Sequence, residues 1–368
     1  MLLMRVALIV EQCLNRVPGG TGRYTVELGR ALAASAGPHD SVEGWVAWHR
    51  DLGPARIEGV LGPSHLPFPR RALAEAWERG LGPAPGGSDL IHAPTPLTPP
   101  RRATPLVVTI HDAVPWTHPE TLTARGARWH RRMGERAAGT ADAVIVPTRA
   151  VATELIEHLL LEDRIHVIGE GVSETLRVPS GADERAAALR LPPAYIVSLA
   201  TLEPRKDLDV ALRALATPAV PDLPLLVIGQ PGWGDVDLSA RARSLGLVDG
   251  RVRELGRLTD PDVAVVLSRA AALLMPSRAE GFGLPVLEAM HLGVPVIASD
   301  AAALVEVAGG AAVHHPVGDA NGLAEALRAV VEDAAVGARL REAGLRRAAA
   351  FSWDTAARQT WELYRSLR

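Results

Sequence analysis

Two patterns of apolar residues alternate along the chain. Short continuous apolar runs predict buried strands, and the longer stretches between them, apolar at every third or fourth place, predict helices. In the first half the predicted strands are Arg5–Glu11, Val42–Trp48, Asp89–His92, Leu106–His111 and Ala143–Pro147. In the second half they are Tyr195–Ala200, Leu223–Gly229, Arg251–Gly256, Ala271–Met275 and Val294–Ser299. Helices are expected between them, for example over Thr21–Ala34, Arg149–Leu160 and Asp319–Asp333. Strand and helix in alternation predict an α/β fold with parallel sheets. The loop Arg177–Glu184, with Pro179, Ser180 and Gly181, marks the expected boundary between two domains, residues 1–178 and 179–351. Residues 352–368 carry a helical stripe through Trp353, Ala357, Trp361 and Tyr364. No repeat of solenoid period is present.

Composition narrows the picture. A length of 368 residues suits two domains, and 48% hydrophobic content supplies two cores. A net charge of −3 gives no reason to expect a nucleic-acid partner. The single cysteine, Cys13, rules out an internal disulfide and points to a reducing compartment. No apolar run reaches membrane-spanning length. The apolar start, Met1 to Val10, is broken by Arg5 and reads as a first strand, not a signal peptide. The expected location is cytoplasmic.

The strongest chemical signal is Glu280-Gly281-Phe282-Gly283-Leu284-Pro285-Val286-Leu287-Glu288. Gly281 and Gly283 allow a tight turn and close ligand approach. Pro285 suits the first position of a helix, whose free N–H groups make a seat for phosphate. Glu280 just before the turn and Glu288 in the first helical turn can both reach one ligand. Carboxylates beside a phosphate seat call for neutral donors such as sugar hydroxyls, so the pattern describes a nucleotide-sugar site. From Met275 through Ala289-Met290 the segment resembles the E-x7-E signature of retaining glycosyltransferases of the bacterial group 1, family 4 type, and it continues in register through Gly293–Ser299 and Glu306–Gly310. The resemblance implies a GT-B fold, two Rossmann-like domains with parallel sheets facing a central cleft. The first domain would lie on the acceptor side, the second would bind the donor nucleotide, and the terminal helix would cross back to the first.

Other segments fit that likeness to different degrees. Lys206 is the only lysine among 39 basic residues, and it stands in Thr201-Leu202-Glu203-Pro204-Arg205-Lys206-Asp207 directly after a strand. In the family it resembles, the Arg-Lys pair binds the donor diphosphate. The following Asp207 excludes a Walker A loop. Gly20 and Gly22, in Pro18–Tyr24, resemble the first-domain glycine loop that faces the donor; a plain glycine turn is the alternative. Gly229, in Gly229–Gly234, and Arg257 follow strands and resemble loops bordering the nucleotide. His111 ends a strand where related enzymes carry a histidine beside the reacting sugar, with Asp112 either orienting it or capping the next turn; His92 is a weaker candidate. Asp207-Leu208-Asp209 and Asp235-Val236-Asp237 are D-x-D strings, but each opens a helical run, where carboxylates are expected without any metal. His314-His315 lack partners at ligand spacing. The run Arg125–Arg132, basic with Trp129 embedded, is either a solvated helix face or a contact for anionic lipid or a lipid-linked acceptor. Arg70-Arg71 is a second, weaker patch.

The resemblance implies a retaining hexosyltransferase using a nucleoside-diphosphate sugar, with Arg205, Lys206, Glu280 and His111 in the reaction. Gly20, Gly22, Gly229, Arg257, Gly281, Phe282, Gly283, Leu284 and Glu288 would complete the donor site. Glu280 would take the transferred sugar and Glu288 the ribose. No metal or other cofactor is expected. The Glu-Pro-Arg-Lys and Gly-Trp-Gly loops most resemble users of GDP-mannose. The alternatives are a UDP-sugar donor (glucose or N-acetylglucosamine), or a GT-B sugar-nucleotide epimerase or hydrolase. The acceptor would be a glycan, a lipid-linked sugar or a small molecule.

Overall fold

The computed structural model describes residues 3–218, 220–234 and 236–368, with the backbone alone for Glu162. The chain forms two compact units. The first holds the chain up to Thr117, then Ala124–Glu170 and Ser352–Arg368; the second holds His118–Thr123 and Gly171–Phe351. The division therefore falls after Glu170, ahead of the Arg177–Glu184 loop.

Seven parallel strands build the first unit: β1 (Arg5–Ile9), β2 (Ser41–Trp48), β3 (Leu61–Pro69), β4 (Leu90–Ala93), β5 (Leu106–Thr109), β6 (Ala143–Val146) and β7 (Ile165–Val167). Their order is β3-β2-β1-β4-β5-β6-β7. The second unit has six parallel strands, β8 (Ile196–Leu199), β9 (Leu225–Ile228), β10 (Val252–Gly256), β11 (Leu273–Met275), β12 (Val296–Ser299) and β13 (Val313–His315), in the order β10-β9-β8-β11-β12-β13. Helices cover both faces of such sheets, so central strands are apolar throughout. The strands β5, β6, β9, β11 and β12 are buried at every position.

Ten of these strands match the predicted runs; β3, β7 and β13 do not, and all three lie at sheet edges. An edge strand has one ladder to satisfy and less apolar surface to hide. β3 carries Pro63, Pro67 and Pro69, which an interior strand would not tolerate. β7 and β13 are three residues each and include His166, His314 and His315.

The terminal helix, Trp353–Ser366, lies in the first unit. Ser352 caps it by accepting from Thr355 N at 3.1 Å. Trp361 and Tyr364 are buried. The indole of Trp361 donates to Leu32 O at 3.1 Å, and the Tyr364 hydroxyl bonds His92 Nδ1 at 2.6 Å.

Candidate active site

In the second sheet, chain order reverses direction between β8 and β11: β8 leads to β9 on one side and β11 to β12 on the other. Open parallel sheets bind ligands at the carboxyl ends of the strands flanking such a switch. The loop after β8 carries Glu203, Arg205 and Lys206, and the loop after β11 carries Arg278 and Glu280. Pro204–Lys206 forms a single 3₁₀ turn. Asp207 closes it in the left-handed region, φ 46°, a conformation aspartate tolerates better than most residues. Its Oδ2 accepts from Arg278 Nε at 2.9 Å, and Arg278 N donates to Arg205 O at 2.9 Å, so the two loops are laced together.

Glu280 lies at the centre of this lacing. Its Oε2 accepts from an Arg205 Nη at 2.7 Å and its Oε1 from Lys206 Nζ at 2.6 Å. Glu203 holds the other side of the guanidinium, at 2.7 Å and 3.1 Å, and the Ala279 carbonyl accepts at 2.9 Å. Glu203 and Lys206 are buried and Arg205 and Glu280 partly so, the four side chains being 4–15% exposed. Burial alone pushes the Glu280 carboxyl up; the Arg205 and Lys206 cations outweigh it and hold the group at about 2. Lys206 responds to a different balance. Burial, and then repulsion from Arg205, lowers its ammonium below the ordinary value against the pull of Glu280 and Glu203. Glu203 is raised, chiefly by burial. A carboxylate has about four acceptor positions, so Glu280 keeps capacity for ligand hydroxyls after serving both cations.

The glycine turn then enters the helix Leu284–His291. Gly283 has φ 95°, and a Cβ there would sit 2.6 Å from Leu304 Cδ2. Leu284, not Pro285, is the first helical residue, with Pro285 second, and Glu288 falls in the second turn, 3% exposed. The Phe282 ring packs edge-on against Phe351, 5.6 Å between centroids, so this side chain is part of the unit's core. After β9, Gly229 N donates to Gly256 O at 2.9 Å, and a Cβ on Gly229 would lie 1.8 Å from Ala200 O. Only glycine fits at that contact. Arg257 follows, exposed. Trp233 of the same loop donates to Thr121 O at 2.8 Å.

In the first unit the expected glycine loop is already helix, Gly19–Ala34. Gly20 is exposed and open around its Cα. Gly22 is a packing position, since a Cβ there would meet Pro18 Cβ at 2.4 Å. His111 donates from Nε2 to Pro94 O at 2.8 Å, which leaves Nδ1 facing Glu170 Oε1 at 3.8 Å. Tyr24 stands edge-on to the imidazole at 4.6 Å. Asp112 does not orient His111; it accepts from Val114 N at 3.1 Å and caps the turn. His92 is fully buried with both ring nitrogens bonded, to Tyr364 and Thr109. Burial, with His111 adding, pushes it down to about 3, as befits a neutral core histidine. The sequence alone points to no role for Glu203 or Glu170. Glu203 had a signal, its place two residues before Arg205; Glu170, isolated between Gly169 and Gly171, had none.

The D-x-D carboxylates have other partners. Asp207 pairs with Arg278, and Asp209 with Arg213 at 3.0 Å and Arg241 at 2.5 Å. Asp237 caps a helix at Ala240 N, and Asp235 lies outside the described residues. On the helix Ala124–Thr140, Arg125, Arg128 and Arg132 are exposed, while Trp129 donates to Glu78 at 2.5 Å. Among the described residues, no helix is long and apolar enough to cross a membrane.

Known proteins resemble this chain over most of its length. Residues 18–176 match the model of Glycosyltransferase Family 4, and residues 181–347 that of Glycosyl transferases group 1. The chain is 31% identical to a D-inositol 3-phosphate glycosyltransferase of Streptomyces avermitilis over 94% of its own length and 82% of that protein's. It is 29% identical to the O-antigen chain mannosyltransferase B of Escherichia coli, over 73% of this chain and 72% of that one. Among solved structures, a sucrose-phosphate synthase from Thermosynechococcus elongatus superposes with a TM-score of 0.77 at 25% identity, covering 99% of both chains. WaaG, a glycosyltransferase of lipopolysaccharide biosynthesis, gives 0.70 at 18% identity over 98% of this chain and 99% of that one, a likeness of fold alone. The chain belongs to the group 1, family 4 glycosyltransferases, enzymes of GT-B fold that transfer a sugar from a nucleotide sugar.

Proposed function

We propose that the enzyme moves a hexosyl group, with retention at the anomeric carbon, from a nucleoside-diphosphate sugar to a hydroxyl acceptor. The observation that carries this reading is the buried cluster of Arg205, Lys206 and Glu280 at the β8–β11 switch, next to the start of the helix Leu284–His291. Two cations beside the positive end of a helix suit a diphosphate. As the sugar departs, charge grows on the leaving phosphate, and fixed cations in a water-poor site stabilise it without reorganising. Glu280 would use its remaining lone pairs for hydroxyls of the transferred sugar, and Glu288 would take the ribose. Gly20, Gly229, Arg257, Gly281 and Gly283 would border the donor, and His111 would lie beside the sugar. Departure and attack on one face, with the leaving phosphate accepting the acceptor's proton, fits a cluster that offers charge and no evident nucleophile. The cations answer the diphosphate charge, so neither metal nor cofactor is required. The favoured donor is GDP-mannose, supported by the mannosyltransferase relative. The inositol-phosphate relative, matched over more of the chain, favours a second reading in which the acceptor is a phosphorylated polyol. Exposed Arg125, Arg128 and Arg132 would meet any anionic or lipid-linked acceptor, and the enzyme would act on the cytoplasmic side. The test is a thermal-shift panel of GDP, UDP and their sugars, followed by NMR of the product's anomeric proton. Stabilisation by one nucleotide series and an axial-to-axial outcome are expected for mannose. An inverted product would contradict retention, and no shift with any nucleotide would contradict the donor site.

A further inference from the structure

One buried acid in the first unit takes no part in the chemistry above. Glu170 follows β7 and is 5% exposed. Among the described residues, no arginine or lysine pairs with its carboxylate and no donor bonds to it; its polar neighbour is His111 Nδ1, 3.8 Å from Oε1. That gap is too wide for a hydrogen bond. The imidazole cannot turn to close it, because Nε2 is committed to Pro94 O and Tyr24 holds the ring edge-on. The fold gives this carboxylate no donor, so its oxygens are left to water or to a ligand's hydroxyls. With Nε2–H given to Pro94 O, Nδ1 of the neutral imidazole is an acceptor, so the two facing atoms are acceptors 3.8 Å apart, a spacing that suits a ligand with two adjacent hydroxyls. Pro94, His111 and Glu170 all follow the carboxyl ends of strands, the edge of the sheet that receives ligands.

We infer that Glu170 is a positioning residue for the acceptor: its carboxylate accepts from one hydroxyl of a polyol or sugar while His111 Nδ1 accepts from the adjacent hydroxyl. The carboxylate takes the hydroxyl's proton as a hydrogen bond, and its charge keeps phosphate away from this end of the acceptor. The inference rests on the transferase reading but concerns the acceptor alone, since the diphosphate anchors Arg205 and Lys206 belong to the second unit.

The test compares the wild type with Glu170→Ala and Glu170→Gln. Methyl α-mannoside and D-inositol 3-phosphate serve as acceptors, and hydrolysis of the donor by water is followed where neither accepts sugar. Glu170→Ala should raise the acceptor KM, or slow hydrolysis, by about 10–100-fold, the loss of a charge-assisted hydrogen bond. Affinity for GDP or UDP should not change, and Glu170→Gln should fall between. Both variants should melt no lower than the wild type, because the carboxylate accepts no hydrogen bond from the fold that they could lose; a purely structural Glu170 predicts the reverse. Unchanged acceptor use, or a lower Tm in Glu170→Gln, would overturn the assignment. A wild type that binds neither nucleotide would count against the donor reading, and the order of Tm values would still decide Glu170.

Discussion

At the residue scale, Glu280 carries the most consequence. The E-x7-E spacing identifies it, but the spacing does not reveal that one carboxylate serves both cations of a distant loop. That pairing depends on β8 and β11 being neighbours, a property of sheet order that local pattern does not encode. The same blindness hid Glu170, whose meaning comes from a histidine beyond another strand. Removing the shared anion should leave two crowded, buried cations. Glu280→Gln is therefore expected to destabilise the second unit by about 3–5 kcal/mol. The carboxyl is lowered in the fold to about 2 from 4.5, so its stabilising contribution is complete above about pH 4.5 and is lost as pH falls through 2. Urea unfolding of wild type and variant across pH 2–7 checks this. The difference between them should be flat above pH 5 and shrink below 4.5; a difference that grows on acidification would contradict the pairing.

At the element scale, legibility followed burial except at β10, an edge strand without a fully buried residue that its pattern still marks. Central strands are sealed on both faces and appear as unbroken apolar runs, whereas β3, β7 and β13 at the edges are short or proline-broken and carry little pattern. Helix starts were less legible. The glycines before Thr21 suggest a loop, yet the helix begins at Gly19, because Pro18 and Gly22 pack on each other. The terminal helix shows how a readable stripe acquires a function. Its Trp361 and Tyr364 fill the first unit's core, and the Tyr364 hydroxyl satisfies His92, which no water reaches. Tyr364→Phe should remove that bond and leave a buried ring nitrogen unsatisfied, a loss of about 1–3 kcal/mol. Guanidinium unfolding followed by tryptophan fluorescence measures it. Wild-type stability in the variant would mean that the helix is held by apolar contact alone.

At the scale of the whole molecule, donor charge is to be answered by protein side chains. Transfer should therefore survive excess EDTA, and adding magnesium should bring no gain; abolition by EDTA with recovery on magnesium would return the D-x-D carboxylates to consideration. Arginine fills every basic position but one, and the exception, Lys206, lies inside the cluster. An ammonium is a compact point charge and a guanidinium a broad planar fork, so at a crowded phosphate they are not interchangeable. The most direct measurement is the rate of nucleoside-diphosphate release from the preferred donor by Lys206→Ala, with Lys206→Arg alongside and folding confirmed by circular dichroism. Loss of one fixed charge at a developing oxyanion predicts a fall of about 10²–10³ in kcat for the alanine variant, only partly rescued by arginine. Near-normal turnover in folded Lys206→Ala would contradict the assignment of the diphosphate to this cluster.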